Sequence, residues 1–286
     1  MRALKTGLLL TLLTVLLVLG GDAIAGQQGM TFGLILAIGM NGFAYFFSDK
    51  IALASSGAQA VTREQEPRLY AVMERLAAKG NLPMPKLYII PQAAPNAFAT
   101  GRNPKHASVA ATQGLMELMN DDELEGVIAH ELSHVRNYDI LTTSIAATLA
   151  GAITWIASMG RWALIFGGYG GRSREDRGGG GLAALLMLIV APIAAMLIQL
   201  GVSRQREYAA DASGAKLVGH PYGLISALEK LGAYNKRIPM TNVSPTTSSL
   251  YIVTPLAAGQ VLAGMFSTHP PLSERIAALR QMTVTR

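Results

Sequence analysis

Four stretches of this chain are long and nearly free of charge, and they restrict its architecture more than any other feature. They run from Thr6 to Gly21, Met30 to Phe47, about Ile140 to Gly160, and Leu182 to Val202. About 20 apolar residues cross the hydrocarbon of a bilayer, where a backbone has no water to bond, so each stretch is predicted to be a helix. Charged residues make up only 15% of the chain and its mean hydropathy is positive, against about 25% charged in soluble domains. The shortage of charge points the same way. The N-terminus also fits a secretory leader, with Arg2 and Lys5, a Leu-rich block and Ala23-Ile24-Ala25 as a cleavage site. A membrane hairpin accounts for the first two stretches together, whereas a leader accounts for one.

Basic residues in short flanks orient such helices. Arg2 and Lys5 precede the first stretch, the Gly20–Gly29 loop carries no Lys or Arg, and Lys50, Arg63 and Arg68 follow the second. Both flanks are therefore expected in the cytoplasm. The third and fourth stretches enclose a Gly-rich linker, Gly167 to Gly181, whose Arg172, Arg174 and Arg177 belong inside by the same rule. This pair is expected to form a second hairpin, complete or re-entrant. The net charge of +6 follows from such loops. No basic patch interleaved with aromatics accompanies it, so nucleic acid is not an expected partner. The chain divides into a hairpin (1–47), the first part of a catalytic domain (48–140), the second hairpin (141–202) and the domain's second part (203–286).

Within 48–140, Pro67 to Leu76 spaces apolar residues as a helix that Gly80-Asn81 stops, and Lys86 to Ile90 reads as a strand. A turn-rich run, Pro95 to Gly101, leads to a second predicted strand, His106 to Thr112, and Gly114 to Asn120 reads as a short helix. Asn120-Asp121-Asp122-Glu123 then opens a longer helix with a cap and acidic residues where the helix dipole favours them. That helix contains His130-Glu131-Leu132-Ser133-His134. Histidines four apart share one face, about 5–6 Å between Cβ atoms, so two imidazoles can hold one zinc ion. Glu131 beside them has the place of a general base. With 5 His and 11 Glu in the chain, a chance match to this pattern is roughly 0.3%, so the motif is read as a site.

A catalytic zinc takes three protein ligands. Cysteine is absent, and positions 137 and 140 hold Asn137 and Ile140 rather than the Gly and His of a metzincin. His106, His220, His269 or a carboxylate remain as the third ligand. In Ser203-Arg204-Gln205-Arg206-Glu207-Tyr208-Ala209-Ala210-Asp211, the carboxylates Glu207 and Asp211 lie four apart on one helix face. Glu207 can bind zinc while Asp211 accepts an N–H from a ligating histidine. On spacing alone, pairing of both with Arg204 and Arg206 stands equally well.

The HExxH helix, the distal ExxxD helix, the N-terminal hairpin, Pro95-Asn96-Ala97-Phe98-Ala99-Thr100-Gly101 and the late His269-Pro270-Pro271 resemble the HtpX heat-shock protease family, relatives of the CAAX prenyl proteases. The resemblance covers nearly the whole chain. It implies a mainly α fold with a small β-sheet, an integral membrane protein with a gluzincin-like catalytic domain. It also implies one zinc ion per subunit on His130, His134 and Glu207, with Glu131 catalytic and Asp211 behind a ligand. Asn96 falls where the family's cleft-lining edge strand begins, here expected at His106–Thr112, though a plain turn asparagine fits as well. His269, with Arg275 six residues on, resembles an HPxxxxR element. It is a candidate donor to a developing oxyanion or a structural cap. The expected partners are protein or peptide substrates and the lipid bilayer, and the expected place is a bacterial inner membrane with the site facing the cytoplasm. The implied work is removal of misfolded or damaged membrane proteins. A prenyl-protein protease, a catalytically silent scaffold and a secreted peptidase are the alternatives. One constraint is independent of the resemblance. The two halves of the site flank the third and fourth stretches, so those must cross the bilayer twice or not at all.

Overall fold

The computed structural model describes residues 2–152, 204–235, 250–253 and 270–282. The end of the third apolar stretch, the Gly-rich linker, the fourth stretch and His269 lie outside the described residues. The chain begins with α1 (Arg2–Ser55), which reverses at Ala25 and Gly26, where the backbone leaves helical geometry and Gly26 takes φ +58°. Its two arms run antiparallel in backbone contact. A Cβ at Gly29 would lie 2.0 Å from the Gly21 carbonyl oxygen, and one at Gly33 would lie 2.2 Å from that of Leu17. Asn41 Nδ2 donates across the hairpin to the Leu10 carbonyl at 3.2 Å and Thr14 Oγ1 at 3.0 Å. The arm Ala25–Ser55 is long and apolar enough to cross a membrane, while Thr6–Leu19 is apolar but shorter. The second arm thus continues eight residues beyond the expected end at Phe47.

A four-stranded mixed sheet follows, formed by β1 (Gln59–Ala60), β2 (Lys86–Ile90), β3 (Ala97–Gly101) and β4 (Ala107–Thr112) in the order β1-β2-β4-β3. β4 pairs with β2 in parallel and with β3 antiparallel. The strand expected at the sheet's edge is therefore interior, and β3 takes the edge. Its Ala and Gly are poor strand formers, which made it read as a turn; pairing with β4 overrides that propensity. β3 also divides two cores by simple alternation. Ala97 and Ala99 face the helical core, while Phe98 packs edge-to-face on Tyr251 at 5.1 Å beside Ala52 and Leu53 of α1.

α2 (Pro67–Gly80), with Asn81 left-handed at φ +50° as its stop, and α3 (Gln113–Leu118) flank α4 (Asp121–Arg136), the central helix. α4 begins with a full capping box. Asn120 Oδ1 accepts from Glu123 N, and Glu123 Oε2 accepts from Asn120 N, each at 2.9 Å. Leu124, Val127, Ile128, Leu132 and Val135 are buried, so the helix is fixed by packing as well as by its cap. After Asn137 and Tyr138 the chain enters α5 (Asp139–Ala152), which packs Ile145 and Leu149 on Leu9 and Leu13 of the hairpin. α6 (Arg204–Val218), α7 (Tyr222–Asn235) and α8 (Leu272–Arg280) complete the described helices. α7 crosses α4 in backbone contact, since a Cβ at Gly126 would meet Leu224 N at 2.5 Å and one at Gly223 would meet the Asp122 oxygen at 2.1 Å.

Candidate metal centre

The third and fourth turns of α4 carry His130 and His134, with Nε2 atoms 3.3 Å apart and ring planes at 89°. α6 brings Glu207 to the same point. Its Oε2 lies 3.8 Å from His130 Nε2 and its Oε1 3.5 Å from His134 Nε2. α6 can come this close because Gly214 sits on α4, where a Cβ would be 3.0 Å from His130 N. One ligand atom from each of the three residues lies within 4.8 Å of the others, and His130 and Glu207 are buried. Two imidazole nitrogens and a carboxylate oxygen around one point fit a borderline divalent cation with a coordination position left open.

Behind His130 stands a charged network. Its Nδ1 lies 2.8 Å from Asp211 Oδ1. Arg275 grips that carboxylate with Nε on Oδ2 at 2.8 Å and Nη2 on Oδ1 at 2.7 Å, while Nη1 donates to the Ile252 carbonyl at 2.9 Å. Burial pushes the Asp211 carboxyl up, but Arg275 and His130 outweigh it and hold the group below its ordinary range. Burial likewise opposes charge on Arg275, and the three carboxylates Asp211, Glu207 and Glu131 keep it firmly protonated. For Glu131 burial wins. Its carboxyl is raised despite His130, His134 and Arg275. Burial would lower His134, yet Asp139, Glu207 and Glu131 raise it to about 9.

The residues singled out in the sequence thus fall into distinct places. His130, Glu131, His134, Glu207 and Asp211 converge. Asp211 pairs with Arg275, and Arg206 lies near Asp139 (Nε to Oδ1, 3.5 Å). Asn96 is buried at the start of β3, where its Nδ2 donates to the Val253 carbonyl at 2.8 Å and its own N–H donates to Thr112 Oγ1 at 2.8 Å. It ties residues 250–253 to the sheet, and that segment in turn accepts from Arg275. His106 is exposed with Nδ1 2.9 Å from Asn103 Oδ1, and His220 stacks on Tyr222. Neither joins the centre.

Sequence reasoning missed two participants. Arg275 was noted only for its spacing from His269; in a helix that also carries Glu274 and Arg280, nothing local set it apart. Asp139, whose Oδ2 lies 3.5 Å from His134 Nδ1, had no signal, because a residue five beyond a histidine is on another face of a continuous helix.

Comparison with known proteins adds the family context. The profile of peptidase family M48 matches residues 63–283. A protease HtpX homolog of Desulfatibacillum aliphaticivorans is 56% identical over 96% of this chain and 88% of its own length. A protease HtpX homolog of Syntrophotalea carbinolica is 52% identical over 99% of this chain and 100% of its own. The crystal structure of S. mikatae Ste24p shares the fold with a TM-score of 0.52 at 20% identity, over 96% of this chain. The chain spans 62% of that structure's length.

Proposed function

This chain belongs to peptidase family M48, and we propose that it is a zinc-dependent endopeptidase held in a membrane, with His130, His134 and Glu207 as metal ligands and Glu131 as general base. The observation that carries the reading is the convergence of three ligand atoms within 4.8 Å on two rigid helices. When bound, zinc supplies Lewis-acid chemistry, polarising a carbonyl and lowering the pKa of water. Asp211 accepts the His130 Nδ1–H, which leaves Nε2 free to ligate and fixes the ring. Glu131 takes a proton from the attacking water and delivers it to the leaving amine. Burial raises its carboxyl, the direction that favours proton uptake. β3, rather than β4, is the sheet's edge; Asn96 fixes its start, and an extended substrate would pair beyond Ala97, whose carbonyl already accepts from Ile252 N at 2.9 Å.

The hairpin supports membrane residence. Phe32, Ile35, Ile38, Phe43 and Phe46 on its second arm are exposed, a patch that water does not favour and lipid does. With 141–202 as a second hairpin between the catalytic segments 48–140 and 203–286, both halves of the site lie on one side, the cytoplasmic side by the distribution of Lys and Arg. A site so close to the bilayer, in a protein similar to bacterial HtpX homologs, fits clearance of misfolded or damaged proteins of the bacterial inner membrane.

The test is Glu131→Gln in the full chain purified in detergent. It should retain zinc by elemental analysis and lose casein hydrolysis, whereas Glu207→Ala should lose most of the zinc. A Glu131→Gln enzyme that cleaved casein at the wild-type rate would end the proposal.

A further inference from the structure

We propose that Asp139 is a positioning residue for His134, doing for the second histidine what Asp211 does for the first; the inference rests on the zinc-peptidase reading. His134 turns Nε2 toward His130 and Glu207, at 3.3 and 3.5 Å, which leaves Nδ1 as its outer nitrogen. Asp139 Oδ2 lies 3.5 Å from that Nδ1, and Asp139 Oδ1 lies 3.5 Å from Arg206 Nε. The carboxylate is buried, at 6% exposure. The two histidines are thereby backed by the same order of groups, imidazole, carboxylate, guanidinium, with contacts of 2.8 and 2.7 Å in the first arm and 3.5 Å for both in the second. One arm is His130–Asp211–Arg275 and the other is His134–Asp139–Arg206.

The reach from position 134 to position 139 is made by the backbone. In a continuous helix residue 139 would sit about 140° around the axis from His134 and could not face it. α4 instead ends at Arg136, and Tyr138 takes a left-handed φ of +59°, a conformation that non-glycine residues seldom adopt. The chain turns there, and Asp139 enters α5 with its carboxylate beside the ring. Because α5 opens the third apolar stretch and packs on the N-terminal hairpin, the ring of His134 is braced by the helix that leads toward the membrane. A ligating histidine whose outer N–H is held by a carboxylate keeps its tautomer and orientation, and loss of such a partner typically weakens metal binding about 10- to 100-fold.

The test is zinc affinity of the full chain in detergent, measured by competition with a chromophoric chelator, for wild type, Asp139→Asn and Asp139→Ala. Melting of each chelator-treated protein is recorded alongside. The expected result is a zinc Kd raised about tenfold or more in both variants, with the metal-free melting temperature of the isosteric Asp139→Asn close to wild type. A purely structural role would lower metal-free melting and leave the Kd alone. Equal Kd values for wild type and both variants would overturn the assignment while leaving the zinc site intact. A wild type that took up no zinc would overturn the underlying reading, and this one with it.

Discussion

Arg275 closes on Asp211 with two parallel N–H···O bonds, at 2.8 and 2.7 Å, in a pocket where the guanidinium has no solvent exposure. The two residues are 64 positions apart, and Asp211, fixed by Arg275, accepts from the outer nitrogen of His130. A buried pair of this kind costs about 3–5 kcal/mol when one partner is removed, because the other charge is left uncompensated. Arg275→Met should therefore melt well below wild type. Arg275→Lys keeps a charge but cannot span both Asp211 oxygens and the Ile252 carbonyl, so it should also melt lower and bind zinc more weakly. Thermal unfolding with and without added zinc checks both. Wild-type melting and zinc content in Arg275→Lys would show that the fork is dispensable.

Metal should stabilise the fold measurably. A ligand that binds only the native state adds about 4 kcal/mol at a free concentration a thousand times its Kd. Treatment with a strong chelator should lower the melting temperature by several degrees, and zinc should restore it. Magnesium, which prefers oxygen ligands and keeps its water, should not. A melting temperature indifferent to the chelator would contradict the ligand assignment of His130, His134 and Glu207.

Glu123 ties α4 to α7 and predicts a pH dependence remote from the metal. Its carboxylate accepts from Asn120 N, Ser226 Oγ at 2.6 Å and Lys230 Nζ at 2.7 Å. Burial raises its carboxyl, but those donors prevail and depress it below its ordinary value near 4.5. A depressed folded-state pKa stabilises above the unfolded value, and the contribution disappears as pH falls through the folded one. Glu123→Gln should thus cost about 1.5–3 kcal/mol at pH 7. The gap to wild type should shrink steadily below pH 4.5. A gap constant from pH 7 to pH 3.5 would mean that the charge is not what matters.

Gly126 sets two preferences against each other. Alanine is the better helix former by about 1 kcal/mol, but its Cβ would sit 2.5 Å from Leu224 N, a backbone atom that only a shift of α7 can move. Overpacking of that kind costs about 1–3 kcal/mol. Gly126→Ala should therefore destabilise on balance, by urea or thermal unfolding. Stabilisation would show that the α4–α7 crossing has slack.

Several local features were legible because their causes lie within a few residues. The stop of α2 at Asn81, the capping box at Asn120 and Glu123, and the shared face of His130 and His134 all follow from short-range geometry. So does the sharing of one face by Glu207 and Asp211, although spacing alone did not separate a role at the metal from plain pairing with Arg204 and Arg206. β3 was hidden because Ala97 to Gly101 has little strand propensity, and its extension comes from β4, which also moved the sheet's edge from the expected strand to this one.

By itself, then, the sequence singled out His130, Glu131, His134 and Glu207 as candidates and showed that long apolar segments accompany them, because residue type and helical period are properties of the chain. Only the tertiary structure decided how the centre is built. Glu207 meets the histidines because Gly214 lets two helices touch. His130 is backed by Asp211 and Arg275, the latter 145 residues away, and Asp139 faces His134 because the backbone breaks its helix at Tyr138. Contacts between distant segments depend on how helices and strands pack, and no periodicity in the chain records that.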